Sequence, residues 1–167
     1  MRSEVSDRSF VQIRPADLRR LDEIAREDLD NFFRESPIYA VYRDRLLMTC
    51  LCQGAAQHWV DNSHGVKDFD VWAFFMAHPD RPFPARRRKA RDFQDGRFGR
   101  HPADEGYTGR RVDILGRSVM HSRERDPVQS VLAWLTGSTV SAKHLRRRPV
   151  VLLPLGEVIY CPASGHG

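Results

Sequence analysis

Cysteine is scarce: Cys50, Cys52 and Cys161 are the only three in 167 residues, too few and too odd in number for a disulfide framework. They read as reduced thiols. Cys50-x-Cys52 also lacks the Cys-x₂₋₄-Cys spacing of zinc sites, and no local signature marks Cys52 or Cys161 as a nucleophile. No segment reaches the roughly 18 consecutive apolar residues of a membrane span. The opening MRSEVSDRSF carries charge where a secretion signal needs an apolar stretch. A cytoplasmic protein with no membrane partner is the expectation. Lysine is rare too: Lys67, Lys89 and Lys143 stand among 27 basic residues, so arginine supplies 24. The formal net charge is +5, and a planar guanidinium can bond two phosphate oxygens at once. An anionic partner fits this balance. A GC-rich genome, which enriches arginine codons, accounts for the same excess equally well.

With 41% hydrophobic residues the chain can bury one core, and a single domain over 1–167 is expected. From Pro15 to about Phe33, Leu18, Leu21, Ala25, Leu29 and Phe32 recur at three- and four-residue steps, which predicts an amphipathic helix with Pro15 in its first turn. IYAVYRDR, after Ser36-Pro37, predicts a second short helix, so helices fill 15–45. LLMTCLCQGAA reads as a buried strand leading into a turn at Gly54, and QHWVDNSHG as a short helix and a loop closed by Gly65. KDFDVWAFFMA is apolar on both faces after Asp70 and predicts a central strand covered on each side. The polar stretch from His78 to Gly109 is too long for a simple connection and is therefore either functional or mobile. RRVDILGRSV predicts a third strand. In DPVQSVLAWLTG, Asp126 is placed to cap a helix, with Pro127 in the first turn, Gln129 at the capping-box position and Gly137 as the stop. RRRPVVLLPLGEVIY predicts a last strand, bent at Pro154, before a disordered SGHG end; this helix and strand fill 126–161. The order of elements points to an α/β or α+β fold, a small mixed sheet with helices packed on it.

Residues two apart in a strand share a face, so Asp68 and Asp70 point the same way, followed by Trp72 and Phe74. Buried carboxylates are costly without compensation, and a close pair repels. Hard oxygen donors favour Mg²⁺ or Mn²⁺. Asp113 stands between Val112 and Ile114 in the other strongly apolar strand, and completes a three-carboxylate site if the two strands are neighbours. The structural alternative makes Asp68 a turn residue, pairs Asp70 with Arg110 or Arg111, and pairs Asp113 with Arg117.

Gly54-Ala55 after a strand, then Asp68-Phe69-Asp70-Val71, then Val112-Asp113-Ile114 together resemble the polymerase-beta-type nucleotidyltransferase superfamily. Its signature is a strand ending in Gly-Ser or Gly-Gly, an acidic-x-acidic pair opening a second strand, and a third acidic residue on a later strand. The resemblance covers about residues 46–116. It implies a mixed sheet with helices, in which three carboxylates hold two Mg²⁺ ions and a nucleoside triphosphate. By this resemblance Asp68 and Asp70 bind the ions and the triphosphate. Asp113 binds the catalytic ion and helps activate an acceptor hydroxyl, whose owner the sequence does not name. Gly54 and Ala55 shape the phosphate pocket, with Gly54 letting the backbone approach. Two ions roughly 3.5–4 Å apart can stabilise both the attacking and the leaving oxygen of an in-line displacement. The implied reaction moves a nucleoside monophosphate from the triphosphate to that hydroxyl. Ala55 lacks the hydroxyl that family members aim at the phosphates, and the loop to Asp68 lacks the Arg-Gly of the small antibiotic-modifying and antitoxin-like members. Ala55 is the feature that favours an alternative, a catalytically decayed binding or regulatory module.

The polar stretch carries Arg86, Arg87, Arg88, Arg91, Arg97 and Arg100, interleaved with Phe93 and Phe98. This Arg86–Arg100 segment offers a charged surface for nucleic acid, with aromatics for base stacking. A solvated loop with two anchoring phenylalanines reads equally well. A nucleic-acid-binding protein whose carboxylates are structural is thus a third possibility. Arg146, Arg147 and Arg148 read as a solubilising strand flank, and His58 as a partly buried helix histidine.

Overall fold

A computed structural model describes residues 5–84 and 86–163. In chain order the elements are α1 (Pro15–Glu35), β1 (Leu46–Cys52), α2 (Gln53–Asp61), β2 (Phe69–Met76), β3 (Arg88–Asp92), β4 (Arg111–Val119), α3 (Pro127–Leu135), α4 (Val140–Leu145), β5 (Val150–Leu153) and β6 (Glu157–Tyr160), with 3₁₀ turns at Pro37–Tyr42 and Gly96–Phe98. They build an α+β fold on one six-stranded mixed sheet, ordered β3-β4-β2-β1-β5-β6. Only β2 and β4 pair in parallel; the other neighbours are antiparallel.

The apolar segment on both sides of the sheet is β2, and its two faces serve different cores. Phe69 and Val71 pack with Leu18, Leu21 and Ile24 of α1, and Ala73 and Phe75 with Leu29 and Phe33 further along the same helix. Trp72 and Phe74 turn the other way, toward Val131 and Leu135 of α3 and Leu145 of α4. Strand alternation sorts these side chains, and two covered faces are what such an apolar strand requires. The first turn of α1 is closed by the Asp17 carboxylate, which accepts from the Arg14 amide at 2.7 Å. Asp126 caps α3 as expected, accepting from the Val128 amide.

The structure departs from expectation in four places. IYAVYRDR contributes to a 3₁₀ turn over Pro37–Tyr42 rather than a regular helix. The last strand is two: β5 and β6 form a hairpin turned at Gly156, whose φ is +87° and where a Cβ would stand 2.6 Å from the Trp59 ring. Helix α4, capped by the Thr139 hydroxyl on the Ala142 amide, has too short an apolar pattern to stand out. The polar stretch contains β3, which closes one sheet edge against β4. The SGHG end lies outside the described residues.

The arginine-rich segment is bound tightly to α1. Arg87 donates to Asp28 at 2.7 Å with both side chains largely buried, and its guanidinium stacks 4.3 Å above Phe32. Arg91 pairs with Glu27 and Arg97 with Asp17. Phe93 and Phe98 are core residues, with ring centroids 5.1 and 5.3 Å from that of Phe69. They anchor the segment and leave no aromatic face for stacking bases. Arg110 is fully buried and donates to the carbonyls of Phe98, Asp7 and Lys67 and to the Ser6 hydroxyl. These bonds tie the N-terminal segment and the loop before β2 to one point.

Removing one partner of the buried Arg87–Asp28 pair strands the other charge. Asp28→Ala is expected to cost about 3 kcal/mol, read as a lowered urea midpoint. The Asp28→Ala/Arg87→Met double variant should recover part of that loss; a double variant as unstable as the two single losses summed would show that the pair is not coupled.

Candidate metal centre

The parallel register of β2 and β4 sets Asp70 opposite Asp113 and Trp72 opposite Leu115. Directly opposed residues share a face, so the two carboxyls project to the same side. Asp68, two residues before Asp70, continues that row just ahead of β2. One carboxylate oxygen from each of the three lies within 4.8 Å of the other two. The structure therefore brings together all three carboxylates that the sequence singled out.

Strand β1 pairs with the other edge of β2, with Cys52 opposite Asp70. The chain turns there directly into α2, so Gln53, Gly54 and Ala55 emerge beside Asp70 and line one open cleft of about 500 Å³ with it. Gln53 adopts φ of +62° to make that turn, a left-handed conformation costing about 1 kcal/mol in a non-glycine residue. Its Oε1 meets His144 Nε2 at 3.1 Å, tying α2 to α4. Ala55 is buried in the α1 core. Gly54 is needed for a reason the sequence did not reveal: a Cβ there would stand 2.6 Å from the Cδ2 of His64, whose ring lies over the first turn of α2.

Two guanidiniums attend the carboxylates. Arg88 donates to Asp113 Oδ2 at 2.7 Å, and Arg111 reaches Asp68 Oδ2 and Asp113 Oδ1, each at 3.3 Å. The expected pairings are corrected: Arg110 is committed to backbone carbonyls, Arg117 donates to the Ser141 hydroxyl, and Arg111 takes Asp68 and Asp113 rather than Asp70. Arg88, which the sequence places in a charged nucleic-acid surface, meets Asp113 instead, because its position follows from β3, where it stands opposite Leu115. Among the described residues Asp70 has no ion pair. Burial, then the neighbouring Asp68 and Asp113 carboxylates, push its pKa up to about 8, with Arg88 opposing.

Three converging hard oxygen donors, two of them lining the cleft and one lacking a cation, fit a small divalent ion. Arg88 leaves room for it, since its side chain is 54% exposed and can turn to water. Cys50 and Cys52 are poor candidates as ligands, because burial raises both thiols and keeps them protonated. Beyond the carboxylates the cleft wall continues with Trp72, Leu115, Ser141 and His144. The chain matches no protein-family model, no curated protein and no solved structure. The functional reading therefore rests on this geometry.

A carboxyl held at a raised pKa in the folded state binds its proton there long after the unfolded chain has released it. Without divalent ions, stability is expected to be greatest below about pH 4 as far as Asp70 contributes, and to fall as pH rises from there to about 8. Asp70→Asn should flatten this slope in urea midpoints measured across that range, and Mn²⁺ should restore stability to the parent protein at pH 8. Parallel pH profiles for the two proteins would contradict the charge frustration assigned to Asp70.

Proposed function

We propose that this protein is a divalent-metal-dependent nucleotidyltransferase that moves a nucleoside monophosphate from a nucleoside triphosphate to an acceptor hydroxyl, releasing pyrophosphate. The observation that carries the reading is the convergence of Asp68, Asp70 and Asp113, with Asp68 and Asp70 lining one cleft beside the strand-to-helix turn at Gly54 and Asp113 buried next to them. Composition alone does not favour it over a nucleic-acid binder. The burial of Phe93 and Phe98 and the pairing of Arg87, Arg91 and Arg97 with α1 remove the stacking surface which that rival reading invoked.

Asp68, Asp70 and Asp113 would hold Mg²⁺ or Mn²⁺, which when bound supplies Lewis acidity to the phosphoryl oxygens and offsets the charge of the carboxylates. Fixed on neighbouring strands, the three side chains need little reorganisation to do this. The acceptor oxygen bonds to the α-phosphorus as the bond to the bridging oxygen breaks. Asp113, at the β4 side of the trio, takes the hydroxyl proton. Arg88, released from Asp113, is placed to offset charge on the departing pyrophosphate.

One observation favours a second reading, a binding module without catalysis. Arg88 and Arg111 already neutralise Asp113 and Asp68, and Ala55 provides no hydroxyl. In this reading the guanidiniums are permanent occupants.

Calorimetric titration with ATP, GTP, CTP and UTP in Mg²⁺ or Mn²⁺ tests the first reading. Metal-dependent binding is expected for the parent, and Asp70→Asn should reduce both this binding and the transfer of label from α-labelled triphosphate to acceptors in cell extract. The loss in transfer should approach a thousandfold. Equal nucleotide binding by the parent and Asp70→Asn defeats the proposal. Arg88→Gln separates the two readings: Mn²⁺ affinity that is absent in the parent and appears only in this variant identifies a guanidinium-locked site.

A further inference from the structure

Most cations around the sheet are spoken for. Arg87, Arg88, Arg91, Arg97 and Arg111 each pair with a carboxylate. Arg8, His64 and Lys67, which line the cleft at its α2 end, differ: among the described residues none of their side chains makes an ion pair or a hydrogen bond. Arg8 and Lys67 are unpaired cations that repel one another and gain from an anion, and the His64 ring beside them can donate a hydrogen bond to it.

They are also held in place. Arg110 Nη1 donates to the carbonyls of Asp7 and Lys67, so a single nitrogen clamps the peptide entering Arg8 to the one leaving Lys67. Ser9 and Val66 exchange backbone hydrogen bonds at 2.9 and 2.7 Å. His58, fully buried, accepts from the Gly65 amide at Nδ1, which leaves Nε2 to donate to the Val11 carbonyl. Gly65 is forced by the same closeness: its φ is +76°, and a Cβ would sit 3.2 Å from that of Arg8. The Arg8 guanidinium comes within 3.9 Å of the Cβ position on Gly54, over which His64 lies. Burial and the charges of Arg148 and Arg8 keep His64 below its ordinary pKa, a further sign that positive charge is crowded there.

We propose that Arg8, His64 and Lys67 form a phosphate-recognising wall of the cleft, holding the phosphates of a polyphosphate chain beside the three carboxylates. The identification of that chain as a nucleotide's rests on the nucleotidyltransferase reading. Arg8 is recruited from the N-terminal segment, outside the 46–116 core, so the site is complete only when residues 5–13 are docked. The wall favours ligands with several phosphates over a monophosphate, because each added phosphate brings further negative charge to Arg8 and Lys67.

Inorganic tripolyphosphate in metal-stripped buffer is the probe, with binding read by calorimetry at two salt concentrations. The parent protein should bind it, more weakly at high salt. Arg8→Gln and Lys67→Gln should each weaken binding about tenfold, whereas Asp70→Asn should bind at least as well as the parent. Lys67 is exposed, so its variant tests the wall without threatening the fold. No binding by the parent, or binding unchanged in both the Arg8 and Lys67 variants, overturns the proposal. Tripolyphosphate binding that follows the expected pattern, beside nucleotide binding indifferent to metal and to Asp70, counts for the wall and against the nucleotidyltransferase reading.

Discussion

The pairing of β2 with β4 sets Asp70 against Asp113 in the middle of an apolar sheet, and much of the surrounding structure answers that placement. Like charges this close cannot all remain ionised without help. Help comes from β3 through Arg88 and from the first residue of β4, Arg111. It also comes from partial exposure of Asp68 and Asp70, which line the cleft. The two guanidiniums offset two of three negative charges. The remainder falls on Asp70, which retains its proton near neutrality. A hydrophobic triad would pack this position more cheaply, so the three acids are a charge cost that the proposed metal would offset.

Arginine does two jobs in this chain, and burial separates them. One group fastens the long segment between β2 and β4 to α1, through Asp28, Glu27 and Asp17. These pairs let an arginine-rich strand lie at a sheet edge without offering a free polar rim to other chains. Arginine suits that work because its guanidinium can stack on a ring while bonding a carboxylate, as Arg87 does over Phe32. The other group lies around the carboxylate trio and its cleft, where Arg88 and Arg111 meet acids and Arg8 meets none. The overall excess of positive charge therefore says little about a nucleic-acid surface.

The parts of the fold that could be read from the chain are those whose burial is local. Helix α1 declares its stripe, α3 its cap, and β2 its two apolar faces interrupted only by the acids. The carboxylate constellation was legible because Asp68 and Asp70 share a face by period alone, and because Asp113 sits in the only other comparably apolar strand of that region. Strand β3 was not legible: RKARD has no apolar alternation, and the acids that justify it lie about sixty residues earlier on α1. The hairpin of β5 and β6 was hidden for a related reason, since its turn is fixed by a tertiary contact between Gly156 and Trp59. Gly54 was noticed, but its reason was not. A glycine after a strand suggests an approach of backbone to ligand, whereas here a histidine ten residues on fills the space. Arg8 carried no signal, because its neighbours in the cleft come from distant parts of the chain.

The two arginines at the acids are not equivalent, and the difference bears on how an ion could be accommodated. Arg111 touches Asp68, Asp104 and Asp113 at once and is the less exposed of the two, so removing it would leave several carboxylates uncompensated. Arg88 makes one contact, from an edge strand, with half its side chain already in water. Exchanging Arg88 for a divalent ion at Asp113 therefore costs one charge-assisted hydrogen bond and little desolvation. Because Asp70 must also release a proton, an ion alone gains less at neutral pH than the donor count suggests. A phosphate chain arriving with the ion changes the balance, since it brings oxygen ligands to the metal and negative charge to Arg8, Lys67 and the freed Arg88. Under the proposed function the charge layout would couple the two binding events, since acids, unpaired cations and a releasable guanidinium line one cleft.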